Sequence, residues 1–213
     1  MAISTYTELQ AAVANWLARD DLSLRIPEFV SLCEAKFNRE LFVRQMEERA
    51  TVTVDTGSGE PEFISLPDDF QSMRRIRLSS VQGKPRLQFV SGASMDEIRQ
   101  SRGDVSGRPV YFTITGDEIE LAPTPDEAYS IEMTYRTVIP PLADNSTNWL
   151  LTLAPDAYLY GTLLEAEPYI QNDGRIQVWL AGLSAAIDGL NRLSMTSTFN
   201  AGPLQMRVSG ATP

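Results

Sequence analysis

Residues 158–179, YLYGTLLEAEPYIQNDGRIQVW, decide how this chain is read. They describe a helix, a proline-marked break and a second helix, with aromatic residues at both ends. The stretch holds no metal ligands, no nucleophile–base pair and no phosphate loop. It offers packing. The first of its helices is expected from Pro155 to about Glu167, with Pro168 ending or interrupting it, because proline lacks the amide hydrogen a helix interior needs. Asn172 or Asp173 is placed to cap the second helix. That helix carries Ile176, Trp179, Leu180, Leu183, Ile187 and Leu190 on one face. Ala181, Gly182, Ala185, Ala186 and Gly189 keep the rest of it thin enough for close approach by a neighbour.

The N-terminal end is helical too. Thr5 and Glu8 have capping-box spacing, which satisfies free amides at a helix start. Leu9, Val13, Trp16 and Leu17 then share one face of a helix over 6–19. Pro27 suits the first turn of a second helix, whose apolar stripe is Ile26, Val30, Cys33, Phe37 and Leu41 and whose end is expected near Glu48.

Between these ends the period changes to two. Residues 51–54 read as a strand. The turn sequence DTGSGEP (55–61) leads to a returning strand at 63–66. Further strands are expected at 74–78, 86–90, 110–115, 118–121 and 129–138. Thr115-Gly-Asp117 turns one hairpin. Ser94 and Glu97 repeat the capping-box spacing and predict a short helix over 95–101.

The fold expected is therefore α+β: a four-helix bundle built from both chain ends, with an inserted β-rich domain and an extended C-terminal arm. The divisions are 1–48 and 148–195 for the two parts of the bundle, 49–147 for the insertion and 196–213 for the arm. From Thr196 onward periodicity fails. Phe199, Leu204, Met206 and Val208 stand among Gly, Pro and small polar residues. Such a segment either orders against a partner or frays as a terminus.

Composition narrows the chemistry. The 213 residues are 43% hydrophobic, enough for a packed core, and contain no histidine and one cysteine. Histidine triads, histidine metal sites, CxxC pairs and internal disulfides are thereby excluded. No cofactor is expected. The N-terminus lacks a basic region followed by an apolar run, and no apolar stretch approaches the ~18 residues of a membrane span. Synthesis in the cytoplasm is the expectation. The net charge of −10 is spread along the chain. It argues against tight nucleic-acid binding through phosphate neutralisation; an acidic surface is its plain reading, and it does not exclude DNA that must pass without being held.

Few residues invite a chemical reading. Gly57 and Gly59 lack the Lys-Ser/Thr of a phosphate loop and read as a hairpin turn. The acid pairs Asp20-Asp21, Glu47-Glu48, Asp68-Asp69 and Asp117-Glu118 could serve glycoside hydrolysis, or simply solvate turns and helix ends. Arg74, Arg75 and Arg77 are the one basic cluster. In a strand Arg75 and Arg77 share a face and Arg74 points away. They can contact DNA, acids of another subunit, or acids of the same chain. Asn145-Ser-Thr147 matches a glycosylation acceptor without a secretory signal to give it meaning. Cys33 reads as a core residue, and Trp16, Trp149 and Trp179 as core or interface anchors.

The chain resembles the head-to-tail adaptor proteins of tailed bacteriophages, particularly short-tailed ones. The residues that carry the resemblance are Tyr158-Leu-Tyr160-Gly161, Leu164-Glu-Ala166, Pro168-Tyr169, Arg175-Ile176 and Trp179. Leu66-Pro-Asp-Asp-Phe70 followed by 74–76, and the Thr-capped helix over 5–17, add to it. The resemblance covers nearly the whole chain. It implies a virion structural protein: a ring, commonly of twelve copies, between the portal protein above and the tail nozzle protein below. Double-stranded DNA would pass through its channel without specific binding. It also implies that the C-terminal arm, with Phe199, Leu204, Met206, Arg207 and Val208, reaches the portal. Arg74, Arg75, Arg77 and Tyr169 are the candidate subunit-interface residues. No catalytic residue is implied. The alternatives are a cell-wall glycan hydrolase used during phage entry and a nonviral β-rich binding module.

Overall fold

The computed structural model of the chain describes residues 3–54, 56–57, 59–103, 105–170 and 174–198. It is mixed α+β, with six helices and two sheets among the described residues. The chain forms two compact units. One comprises Met1–Gln45 and Ile139–Pro213, the other Met46–Val138.

The first unit is helical. Helix α1 (Tyr6–Leu17) starts at the expected capping box: Thr5 Oγ1 accepts from the Glu8 amide, and the Glu8 carboxylate accepts from the Thr5 amide. Its buried stripe is Leu9, Val13 and Leu17, while Trp16 stays 40% exposed with its ring edge-on to Tyr160. Helix α2 (Ile26–Glu40) buries Ile26, Phe29, Val30, Cys33, Glu34 and Phe37. It ends eight residues before the expected Glu48, because Leu41 turns extended. Leu41 and Val43 then point inward and Phe42 outward, the alternation of extended chain.

Helix α4 (Trp149–Leu153) is a single turn and a half that the sequence reading missed, capped by Asn148 accepting from the Leu151 amide. Helix α5 (Pro155–Ile170) packs against α1, α2, α4 and the last helix, α6 (Ile176–Thr198). Neighbours on several sides explain why α5 is apolar nearly all round. Pro168 does not stop it at Glu167. The residue lies in the final turn, where one lost hydrogen bond is tolerable. The expected cap at Asn172 or Asp173 lies outside the described residues. On α6, Trp179, Leu183 and Leu190 are buried as expected, but Leu180 is 50% exposed. The helix continues through Thr198, two residues past the expected start of the arm.

Two glycines set helix separations. A Cβ at Gly161 on α5 would overlap the Cys33 Sγ of α2, and one at Gly182 on α6 would lie 2.7 Å from the Tyr160 ring. Glycine at each place leaves room for a side chain of the neighbouring helix to lie directly against the helix backbone.

The second unit has strands β1 (Glu47–Thr53), β2 (Phe63–Ser65), β3 (Phe70–Leu78), β4 (Gln88–Phe89), β5 (Tyr111–Thr115), β6 (Glu118–Ala122) and β7 (Ser130–Thr137), with helix α3 (Gly92–Arg102) after β4. They make a three-stranded sheet, β1-β7-β3, and a four-stranded sheet, β2-β6-β5-β4. One core draws on both: Ile76, Leu78, Ile131, Met133 and Tyr135 from the first, Ile64, Phe112, Ile119 and Leu121 from the second.

The β5–β6 hairpin turns at Gly116, φ 61°, as its sequence requires. The hairpin expected across residues 55–61 does not form. β1 pairs with β7 and β2 pairs with β6 in the other sheet. Ile64 thereby comes opposite Ile119 in the core, a burial that pairing with the exposed edge strand β1 could not provide. Helix α3 begins three residues earlier than its expected cap, at Ser91, whose Oγ accepts from the Ser94 amide.

Candidate functional site

The sequence gives few chemical groups, and the fold engages most of them in support. Among the described residues no group of three or more His, Cys, Asp and Glu side chains could hold a metal ion. Among the described residues, too, no helix is long and apolar enough to cross a membrane. One member of each of three acid pairs makes a contact within the chain. Asp21 pairs with Arg19 at 2.6 Å and Glu47 with Arg74 at 2.9 Å. Asp69 accepts from the Tyr135 hydroxyl at 3.0 Å. Burial first, and that carboxylate second, push the Tyr135 hydroxyl up to about 12.

Buried titratable groups in the helical unit form a staple. Glu34 Oε1 accepts from the Leu142 amide (2.9 Å) and from the Tyr158 hydroxyl (3.1 Å), and Asn148 Nδ2 donates to the Tyr158 oxygen (2.7 Å). The Ile139 amide donates to Asn38 Oδ1 at 2.8 Å. Residues 139–148 are thus tied to α2 and α5. Burial raises the Glu34 carboxyl above the ordinary range, against the lowering by its two donors. Burial likewise drives the Cys33 thiol and the Tyr158 hydroxyl far upward. A thiol so shifted has little thiolate character and is a poor nucleophile.

The arginines stand on β3. Arg77 Nη2 pairs with Glu132 of β7 at 2.6 Å, and Arg75 Nη2 reaches the same carboxylate at 4.0 Å. Arg74, 66% exposed in its side chain, reaches Glu47. The register shift between Met73 and Arg75 gives β3 an irregularity just where the cluster sits. Each of the three therefore has an acid of its own chain within reach. Tyr169, in the last turn of α5, is 56% exposed and tilts against the Phe29 ring with centroids 5.9 Å apart. Phe199, Leu204, Met206, Arg207 and Val208 lie outside the described residues.

Three surfaces escaped the sequence reading. Val178, Leu180, Leu193 and Met195 are each 48–64% exposed on α6. A hollow of about 300 Å³ between α4, α5 and α6 is lined by Leu153, Asp156, Ala185, Gly189 and Leu193 among others. In the β unit a groove of about 610 Å³ runs beside β3. A signal for the first was present: Val178 and Leu193 are apolar yet lie off the buried stripe. Residues two apart point to different sides of a helix, so Val178, Leu180, Leu193 and Met195 are separate exposed apolar positions near the two ends of α6.

The fold is mixed α+β, and α6 carries exposed apolar residues. The chain matches the SU10 adaptor protein family over residues 4–207 and belongs to that family, a family of phage adaptor proteins with a structural, virion-component role. No curated protein sequence matches the chain.

Proposed function

We propose that the protein is the head-to-tail adaptor that joins the portal protein to the tail nozzle protein. The match to the adaptor family over nearly the whole chain carries this reading. In it, α1, α2, α5 and α6 act as a four-helix bundle, residues 46–138 are the inserted domain, and twelve copies close into a ring. A cyclic ring repeats one heterologous interface until it closes. The exposed apolar residues of α6 supply a surface for such a contact, with Arg74, Arg75, Arg77 and Tyr169 at the same or adjoining interfaces. DNA passes through the channel, and the net charge of −10 is suited to not holding it. The protein is made in the host cytoplasm and ends in the virion at the head–tail junction.

The C-terminal arm, with Phe199, Leu204, Met206, Arg207 and Val208, docks on the portal. Its ordering entropy is offset on binding. Sedimentation and cryo-electron microscopy of the protein mixed with purified portal should show a ring seated on the portal. Absence of any complex overturns the reading. Removal of residues 199–213 should abolish attachment while the thermal midpoint stays unchanged. Attachment without them removes the arm from the portal contact.

A further inference from the structure

We propose that the groove beside β3 binds an extended segment of another polypeptide chain as an added β-strand, one that alternates apolar and acidic side chains. β3 is an edge of the three-stranded sheet and β4 an edge of the four-stranded sheet. The two edges meet at the Arg77–Arg86 bridge, where the Leu78 amide donates to the Pro85 carbonyl (3.0 Å) and the Leu87 amide to the Ile76 carbonyl (3.2 Å). Beyond that bridge, toward Phe70, they part and bound the groove of about 610 Å³. β3 has β7 on one side there and, among the described residues, no strand on the other. An open edge presents main-chain donors and acceptors that an incoming strand can pair.

The walls select the occupant. Met73, Leu87, Phe89, Phe112 and Ile114 give the groove an apolar lining. Phe89 is 61% exposed, held edge-on to Phe112 at 5.6 Å, and so presents uncovered ring surface. The other lining residues include Arg74, Arg75 and Arg86 and no carboxylate, on a chain with 28 acids against 18 bases. Arg74 is paired with Glu47 at 2.9 Å, Arg75 reaches Glu132 only at 4.0 Å, and Arg77 already holds that carboxylate at 2.6 Å, so with Arg86 four arginines stand against two carboxylates. Positive charge therefore exceeds negative charge at the groove. A strand whose alternate side chains fill the apolar lining turns the others outward, and carboxylates at those positions complement the arginines.

Two other occupants fit less well. Residues 199–213, FNAGPLQMRVSGATP, alternate over 204–208 but contain no Asp or Glu and would add Arg207 to the arginines. An edge strand of a second copy needs a long straight edge, and β3 has register shifts at Phe70/Ser72 and Met73/Arg75. A short segment tolerates those shifts.

The test uses the full isotope-labelled chain without portal, so its outcome is separate from that of the adaptor reading. A capped seven-residue peptide alternating Glu and Val is titrated and followed by amide chemical shifts. Shifts concentrated at residues 72–76 and 87–89 are expected. Affinity about tenfold weaker is expected for the Lys/Val counterpart, and for the Arg75→Gln/Arg86→Gln variant, whose unperturbed amide spectrum elsewhere reports intact folding. No shifts, shifts elsewhere, or equal binding of the Lys/Val peptide overturns the proposal. So does movement of the same amides when residues 199–213 are deleted without peptide, since that places the protein's own tail in the groove.

Discussion

Gly161 lies directly over Cys33: a Cβ on the glycine would overlap the Cys33 Sγ and stand 3.1 Å from Phe37 Cζ. Alanine favours a helix over glycine by about 1 kcal/mol, but overpacking a closed core costs about 1–3 kcal/mol. The steric cost should win, since Cys33 and Phe37 are fully buried. Gly161→Ala should lower stability by about 1–2 kcal/mol in urea unfolding. Adding Cys33→Ala should recover part of that loss, because the two sites share one space.

Gly182 and Gly189 should respond in opposite directions. A methyl at Gly182 meets the Tyr160 ring, whereas at Gly189 nothing among the described residues lies within 4 Å. Gly182→Ala should destabilise by about 1 kcal/mol as the ring is displaced. Gly189→Ala should stabilise by about 0.5–1 kcal/mol. If the hollow beside Gly189 receives a neighbouring subunit, the same Gly189→Ala protein will be the more stable monomer and the poorer assembler on portal.

Glu132 holds Arg77 tightly and Arg75 loosely, with 9% of its side chain exposed. Glu132→Gln strands a guanidinium that is itself only 25% exposed. A loss of about 1–3 kcal/mol is expected, below the full cost for a wholly buried pair because Arg77 keeps some solvent. Arg74→Ala removes an exposed pair and should shift stability by no more than about 0.5 kcal/mol. A larger effect of Arg74→Ala on ring formation than on the monomer would mark Arg74 as an interface residue.

Glu34 should make stability fall as pH rises. Its folded carboxyl titrates above the ordinary glutamate value, chiefly through burial. The folded state therefore binds the proton more tightly than the unfolded state does. The associated stability is complete below the unfolded value of about 4.3 and is lost as pH passes the raised folded value. Glu34→Gln lacks this dependence. The thermal-midpoint advantage of the native protein over the variant should shrink from pH 4 to pH 7. A gap independent of pH contradicts the assignment.

Removing the Tyr158 hydroxyl tests the same staple without a titrating group. Tyr158→Phe leaves Glu34 with the Leu142 amide as its remaining donor and takes from Asn148 an acceptor. A cost of about 1–3 kcal/mol is expected for polar groups left short of partners in a buried site, measured by urea unfolding with the near-ultraviolet spectrum otherwise retained.

The elements legible in the sequence are those whose cause lies within a few residues. Thr5 and Glu8 cap each other across one turn, and Gly116 takes the positive φ that its hairpin needs. The stripes of α1 and α2 follow from a period of 3.6. The groove beside β3 was not legible, because β3 and β4 are close in sequence but belong to different sheets, and Phe112 and Ile114 reach it from β5. Arg74, Arg75 and Arg77 could be singled out as the basic cluster, but not their acids: Glu132 and Glu47 arrive through β7 and β1. Nothing near Glu34 in the sequence marks it, because its donors, the Leu142 amide and the Tyr158 hydroxyl, lie more than a hundred residues away.

By itself, the sequence determined helical ends around a β-rich middle, and a chain without histidine chemistry. Composition and local periodicity suffice for both. Only the tertiary structure decided which strands pair. Residues 51–54 and 63–66 carry a strong turn signal between them, yet β1 and β2 join different sheets. A turn contributes local geometry worth little beside the burial of Ile64 against Ile119, and burial depends on partners remote along the chain. Tertiary packing likewise decided that 158–179 closes the helical unit through α5, whose Gly161 and Ala166 are buried while Tyr169 is left at the surface.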